Sequence, residues 1–127
     1  MLEYQESTGV VEWIVWEELV AWLVKFYHLT GYIMTDVNLR NFLYDATTQT
    51  MYGLDFEECM EGDAIKEAAK LAAYILQYSP EKTPAKIKIA EYVLYQFSRH
   101  LDTDVQVLLT EAKKQEALLL LRRKSRT

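Results

Sequence analysis

The sequence predicts a mainly α domain of the α+β kind, helical with one small β-hairpin, spanning residues 1–127 as a single unit. Residues 10–28 are apolar nearly throughout and have the length of a helix. Three later stretches carry apolar residues at three- and four-residue spacing. Ahead of these stretches, two short runs rich in aromatic residues and threonine flank Asp45-Ala46-Thr47-Thr48-Gln49, a set of turn residues. A chain of 127 residues can bury one core and is too short for two.

Residues 1–9 read as an irregular lead-in, broken by Ser7, Thr8 and Gly9. From about Val10 to His28 the first helix carries Trp13, Trp16, Leu19, Trp22 and Phe26. Within it Glu17, Glu18 and Lys25 share one stripe about 100° wide. So narrow a stripe predicts the central helix of the core, surrounded on most sides. The adjacent Glu17 and Glu18 at mid-length argue against a membrane span. Gly31 suits the left-handed residue that ends a helix, and Tyr32-Ile33-Met34 continue extended.

Residues 41–44 and 50–54 form the hairpin strands, and residues 57–63 read as an acidic loop closed by Gly62. Asp63 caps an Ala-rich helix over residues 64–78, with Ala68, Ala69, Ala72 and Ile75 facing inward. Those small residues permit close approach to a neighbour, expected to be the first helix. Residues 79–84 break the chain, and a third helix over 85–101 turns Ile87, Ala90, Val93 and Phe97 inward. Asp102 or Thr103 caps the last helix, which runs from Val105 through Leu118–Leu121 to Arg122, Arg123 and Lys124. Basic residues there complement the helix dipole.

Charge is unevenly spread. The 14 Lys and Arg against 19 Asp and Glu give −5; residues 113–127 hold six cations and Glu116, hence +5, which leaves −10 on residues 1–112. So acidic a body argues against general nucleic-acid binding, which works by neutralising phosphates. The basic tail reads as a solvated helix end, with an anionic partner or a membrane surface as the alternative. Cys59 is the single cysteine, so no intrachain disulfide forms and a reducing, cytoplasmic setting is expected. Glu3 and Glu6, with no basic segment before the apolar run, give no signal-peptide pattern.

The chemistry-bearing stretch is Asp36–Glu57. A loop carries Asp36 and Asn41, and Asp55 follows the second hairpin strand. Mg²⁺ takes hard oxygen ligands, commonly one or two carboxylates completed by water and substrate phosphates. Asn41 and Asp55 suit that role, with Glu57 as an extra ligand. Asp36 is then free to orient a hydroxyl and accept its proton as it attacks a phosphoryl group.

The order His28-x-x-Gly31, Asp36, x₄-Asn41, a hydrophobic hairpin, then Gly53-Leu54-Asp55-Phe56-Glu57 resembles the C-terminal lobe of the protein-kinase-like superfamily. The closer likeness is to its aminoglycoside/choline kinase and lipopolysaccharide-kinase branches, and it covers about residues 10–80. The resemblance implies Asp36 as catalytic base, Asn41 and Asp55 as Mg²⁺ ligands, ATP as phosphoryl donor, and a small-molecule or protein hydroxyl as acceptor. Gly62-Asp63 and Glu67-Ala68-Ala69 resemble the Gly-Asp…Asp-Leu-Ala run that opens the following helix in small-molecule kinases, Glu67 standing in for an Asp with a longer arm.

Departures accompany the likeness. Met34 stands where many relatives have the His that braces the catalytic loop, Thr35 replaces a common Arg or Gly, and Asn38 replaces the Lys frequent in Ser/Thr protein kinases. No Gly-rich phosphate loop and no strand with a phosphate-binding Lys precede residue 10. Half of the nucleotide clamp is therefore expected from an N-terminal lobe, in the same protein or on a partner, or else the chain is a non-catalytic, pseudokinase-type binding or scaffold module. An unrelated helical protein that self-associates through its apolar helices is a third reading.

Simpler roles exist for the same residues. Asp36 and Asn41 also suit a turn whose side chains cap backbone donors, Asp55 a surface acid, and Glu57 and Glu58 solvated positions. A calcium loop beginning at Asp36 fails, because Arg40, Asn41 and Thr47 occupy its fifth-ligand, glycine and closing-glutamate positions. His28 is expected to pack under the loop, His100 to lie on a helix surface, and Cys59 has no His–acid setting for a nucleophile. The three tryptophans are spaced for core packing rather than for an aromatic binding platform.

Overall fold

The structure, a computed structural model, describes residues 13–34, 42–53, 59–77 and 83–125, with side chains of the last helix described as far as Arg122. In chain order the elements are α1 (Trp13–Thr30), β1 (Tyr32–Met34), β2 (Phe42–Asp45), β3 (Thr50–Gly53), β4 (Cys59–Glu61), α2 (Ala64–Gln77), α3 (Pro84–His100) and α4 (Val105–Ser125). The fold is mainly helical with a small β part, as the sequence predicts.

Local chemistry sets most boundaries. At the end of α1, the Thr30 hydroxyl donates to Phe26 O at 2.7 Å and Gly31 N–H donates to Tyr27 O at 2.7 Å. Gly31 then reverses the chain at φ +74°, a conformation that costs a side-chain-bearing residue about 1 kcal/mol. Asp63 caps α2 by accepting Ile65 N–H at 2.9 Å. Thr83 caps α3 by accepting Lys86 N–H at 3.3 Å, and Pro84 is the first helical residue rather than part of the preceding break. The cap of α4 is Asp104, which accepts Gln106 N–H at 2.9 Å, and not Asp102 or Thr103. Asp102 instead takes φ +50° and terminates α3, with Thr103 N–H reaching back to Ser98 O at 3.0 Å.

The strands form two antiparallel pairs. The expected hairpin is present, with Phe42↔Gly53, Leu43↔Tyr52, Tyr44↔Met51 and Asp45↔Thr50 as partners. Its turn is held by the Asp45 carboxylate, which accepts Thr47 N–H at 3.0 Å, while Gln49 adopts φ +54°. The second pair corrects the sequence reading. Residues 57–63 were expected to be loop, but Cys59–Glu61 form β4 against β1, with Tyr32↔Glu61, Ile33↔Met60 and Met34↔Cys59 as partners. Three residues carry no legible alternation; a partner strand brought close by the fold defines this one.

The centre of the core is also not where the sequence places it. α1 buries Trp16, Leu19, Val20 and Leu23 but leaves Trp13, Ile14 and Leu29 exposed, Leu29 by 74%. α2 is the more enclosed helix: Lys66 is its only exposed residue, and Ala68, Ala69, Leu71, Ala72 and Ile75 have no exposed surface. Its close helical neighbours are α3 and α4 rather than α1, which packs on α3, β1 and β3. Small side chains let several backbones approach one axis, whereas tryptophan and leucine fill the space around their own helix. Burying a side chain such as Leu19 or Leu23 contributes about 2 kcal/mol, so both helices matter to stability. No described helix is long and apolar enough to cross a membrane.

The inward face of α3 is rotated from expectation. Ile87 is 40% exposed and Lys86 is fully buried, with Ile89, Ala90, Val93 and Phe97 completing the buried face. α3 meets α1 through the Tyr92 hydroxyl, which donates to Glu17 Oε1, and through the Tyr92 ring, whose centroid lies 4.7 Å from that of Trp13. Burial and then the Glu17 carboxylate push the Tyr92 hydroxyl up to about 12. In α4, Leu108 and Ala112 are buried while Leu118, Leu120 and Leu121 lie exposed.

Gly62 sits where β4 turns into α2, and a Cβ there would meet Ile33 Cδ1 at 2.5 Å and Cγ1 at 2.9 Å. Ile33 is buried and has little room to withdraw. Gly62→Ala is expected to lower unfolding stability by about 1–3 kcal/mol through overpacking, read from urea midpoints.

Candidate functional site

The residues proposed for chemistry, Asp36, Asn41, Asp55 and Glu57, all lie outside the described residues. Their four flanking positions are described. Residues 35–41 leave Met34 and enter Phe42, and residues 54–58 leave Gly53 and enter Cys59. Met34 is the partner of Cys59, and Phe42 is the partner of Gly53. Both segments are thus anchored at both ends to the same two strand pairs.

The anchors are firmly held. Phe42 is buried, and its ring meets Trp22 of α1 edge-on at 5.3 Å, with Trp22 stacked on Phe26 at 5.2 Å. Met34 is 1% exposed, and its sulfur takes the Cys59 thiol at 3.3 Å. The Met34 amide donates to Glu67 Oε2 at 2.6 Å, across 33 residues of sequence. This bond joins α2 to the residue from which the Asp36 segment departs. Leu43 and Tyr52, cross-strand partners, point away from the core and are 57% and 46% exposed.

Glu67 is the buried acid of the described residues, only 1% exposed. Burial pushes its carboxyl up from 4.5 to about 7, and the Met34 N–H bond offsets part of that rise. The sequence singled Glu67 out only as a longer substitute for an Asp. A signal for its burial exists: Glu67 lies one turn after Ala64 and one turn before Leu71, on the apolar side of an otherwise alanine-rich helix.

Other sequence-predicted residues divide between those placed as expected and those placed differently. His28 is exposed on the last turn of α1, its ring centroid 5.9 Å from that of Tyr27, and the loop under which it was expected lies outside the described residues. His100 is exposed at the end of α3, as expected. Trp16 is fully buried, but Trp13 lies at the rim, 38% exposed. Among the described residues no three His, Cys, Asp or Glu side chains gather as a metal site; Asn41, Asp55 and Glu57 are not among those residues.

No family model, no curated protein and no solved structure matches this chain.

Because the folded carboxyl of Glu67 titrates at about 7 and an unfolded one at 4.5, the unfolded chain loses this proton first as pH rises. The contribution of Glu67 to stability is therefore full below pH 4.5, declines through the interval, and is lost above about 7, a change of about 3 kcal/mol. Urea unfolding from pH 4.5 to 8 is expected to show this decline in the native chain and not in Glu67→Gln. Glu67→Ala, which leaves the Met34 N–H without its acceptor, is expected to cost about 1–3 kcal/mol at acidic pH.

Proposed function

We propose that this chain is the C-terminal lobe of a kinase-like phosphotransferase, transferring a phosphoryl group from ATP to a hydroxyl in a Mg²⁺-dependent reaction. An N-terminal lobe, in the same protein or on a partner, completes the nucleotide clamp. What carries the reading is the double anchoring of residues 35–41 and 54–58 by the Met34–Cys59 and Phe42–Gly53 pairs. Such anchoring suits a site assembled from an acid and an amide on one segment and a carboxylate on the other. Glu67 supports it further by fixing the amide just before the Asp36 segment.

In this reading Asn41 and Asp55, with Glu57 as an extra ligand, would hold Mg²⁺, which would neutralise charge on the transferring phosphates. Asp36 orients the acceptor hydroxyl and takes its proton. The acceptor is a small molecule or a protein side chain.

Met34 favours a second reading. A buried thioether against Cys59 offers no hydrogen-bond donor to brace the adjacent segment, which fits a pseudokinase-type binding or scaffold module without turnover.

Titration calorimetry with ATP separates the two. The first reading expects micromolar binding that requires Mg²⁺ and is lost or strongly weakened in Asp55→Asn. In the presence of the completing lobe, Asp36→Asn is expected to retain binding and lower transfer by about 100-fold or more. Absence of Mg²⁺-dependent ATP binding with the completing lobe present would sink the catalytic reading.

A further inference from the structure

The Glu67–Met34 contact has an electrostatic imbalance with a consequence for the segment it holds. The carboxyl is enclosed by the core and, among the described residues, receives one backbone donor, the Met34 N–H at 2.6 Å. An ionised buried carboxylate commonly needs two or three donors, or a cation, to offset lost hydration. The side chain nearest along β1, that of Met34, is a thioether and cannot donate. From β4 the titratable group near this contact is the Cys59 thiol, directed to the Met34 sulfur. On α2 itself, the Asp63 carboxylate accepts Ile65 N–H, Lys66 is exposed and Lys70 half-buried. Among the described residues, no charged side chain of these elements, of α3 or of α4 enters the balance at Glu67, which burial raises and the Met34 N–H lowers.

We propose that Glu67 is a pH-responsive pin at the neck of residues 35–41, holding the Met34 amide while protonated and loosening β1 from α2 when ionised. A neutral carboxyl accepts the amide through its carbonyl oxygen without a hydration penalty. Once ionised, the group gains hydration by a local opening of the β1–α2 contact, far short of unfolding the helices. The closed form is thus favoured at acidic pH and lost as pH rises toward 7. That this regulates phosphoryl transfer rests on the functional reading above; the pin itself does not.

Amide hydrogen exchange on the whole chain tests it. The protection factor of the Met34 amide is expected to fall about tenfold per pH unit from pH 5 to 7 and to level off above. At pH 8 it should lie below that of the Val93 amide in the interior of α3. Glu67→Gln, neutral and nearly isosteric, should keep Met34 protection constant over the same range. Carboxyl-carbon NMR of Glu67 in the native chain should titrate near 7 rather than in the ordinary glutamate range. A pH-independent Met34 protection factor in the native chain, Met34 and Val93 protection that are equal at pH 8, or an ordinary Glu67 titration would each overturn the proposal. These readouts involve neither nucleotide nor metal, so their failure leaves the phosphotransferase reading standing, and failure of ATP binding leaves the pin standing.

Discussion

One hydrogen bond ties the helical core to β1, the strand from which residues 35–41 depart: the Met34 amide donating to Glu67 across 33 residues. Without it β1 would rest on α2 by apolar contact alone, which fixes distance but not direction. A buried carboxylate aimed at a backbone N–H fixes both, because that amide has no water to turn to. The position of β1 then sets the position of β4 through Met34↔Cys59. Since β3 runs on through residues 54–58 into β4, the hairpin is tethered as well.

The alanines of α2 make that arrangement possible. A helix with larger side chains at Ala68, Ala69 and Ala72 would hold α3 and α4 further away, and Glu67 would then sit nearer to solvent. Small residues bring the neighbours close, close neighbours exclude water from Glu67, and exclusion of water raises its carboxyl toward neutrality. Packing, protonation and loop anchoring are thus consequences of one choice of side-chain volume.

Some of the fold is legible residue by residue because its causes are local. Gly31 ends α1 by its left-handed backbone, Asp45 closes the hairpin turn through its own carboxylate, and Asp63 caps α2. Each effect reaches no further than four residues along the chain. What spans longer distances was not legible. β4 exists because β1 lies beside it, and Lys86 rather than Ile87 faces inward because α3 is oriented by its contacts with α1, α2 and α4. The candidate site divides the same way. Its acid and amide spacing can be read from Asp36, Asn41 and Asp55, whereas Glu67 as the anchor emerges only when α2 and β1 are in contact.

The sequence by itself determined a mainly helical chain with one hairpin, the Gly31, Asp45 and Asp63 turn and cap residues, and the order of oxygen-bearing side chains between Asp36 and Glu57. These follow from periodicity and from short-range hydrogen bonding, which act between neighbours in the chain. Tertiary structure alone decided that α2 is the enclosed helix, that a second strand pair joins Met34 to Cys59, and that Glu67 is a buried acid on a backbone amide. Those depend on which surfaces lose water together, a property of the assembled core and not of any segment of it.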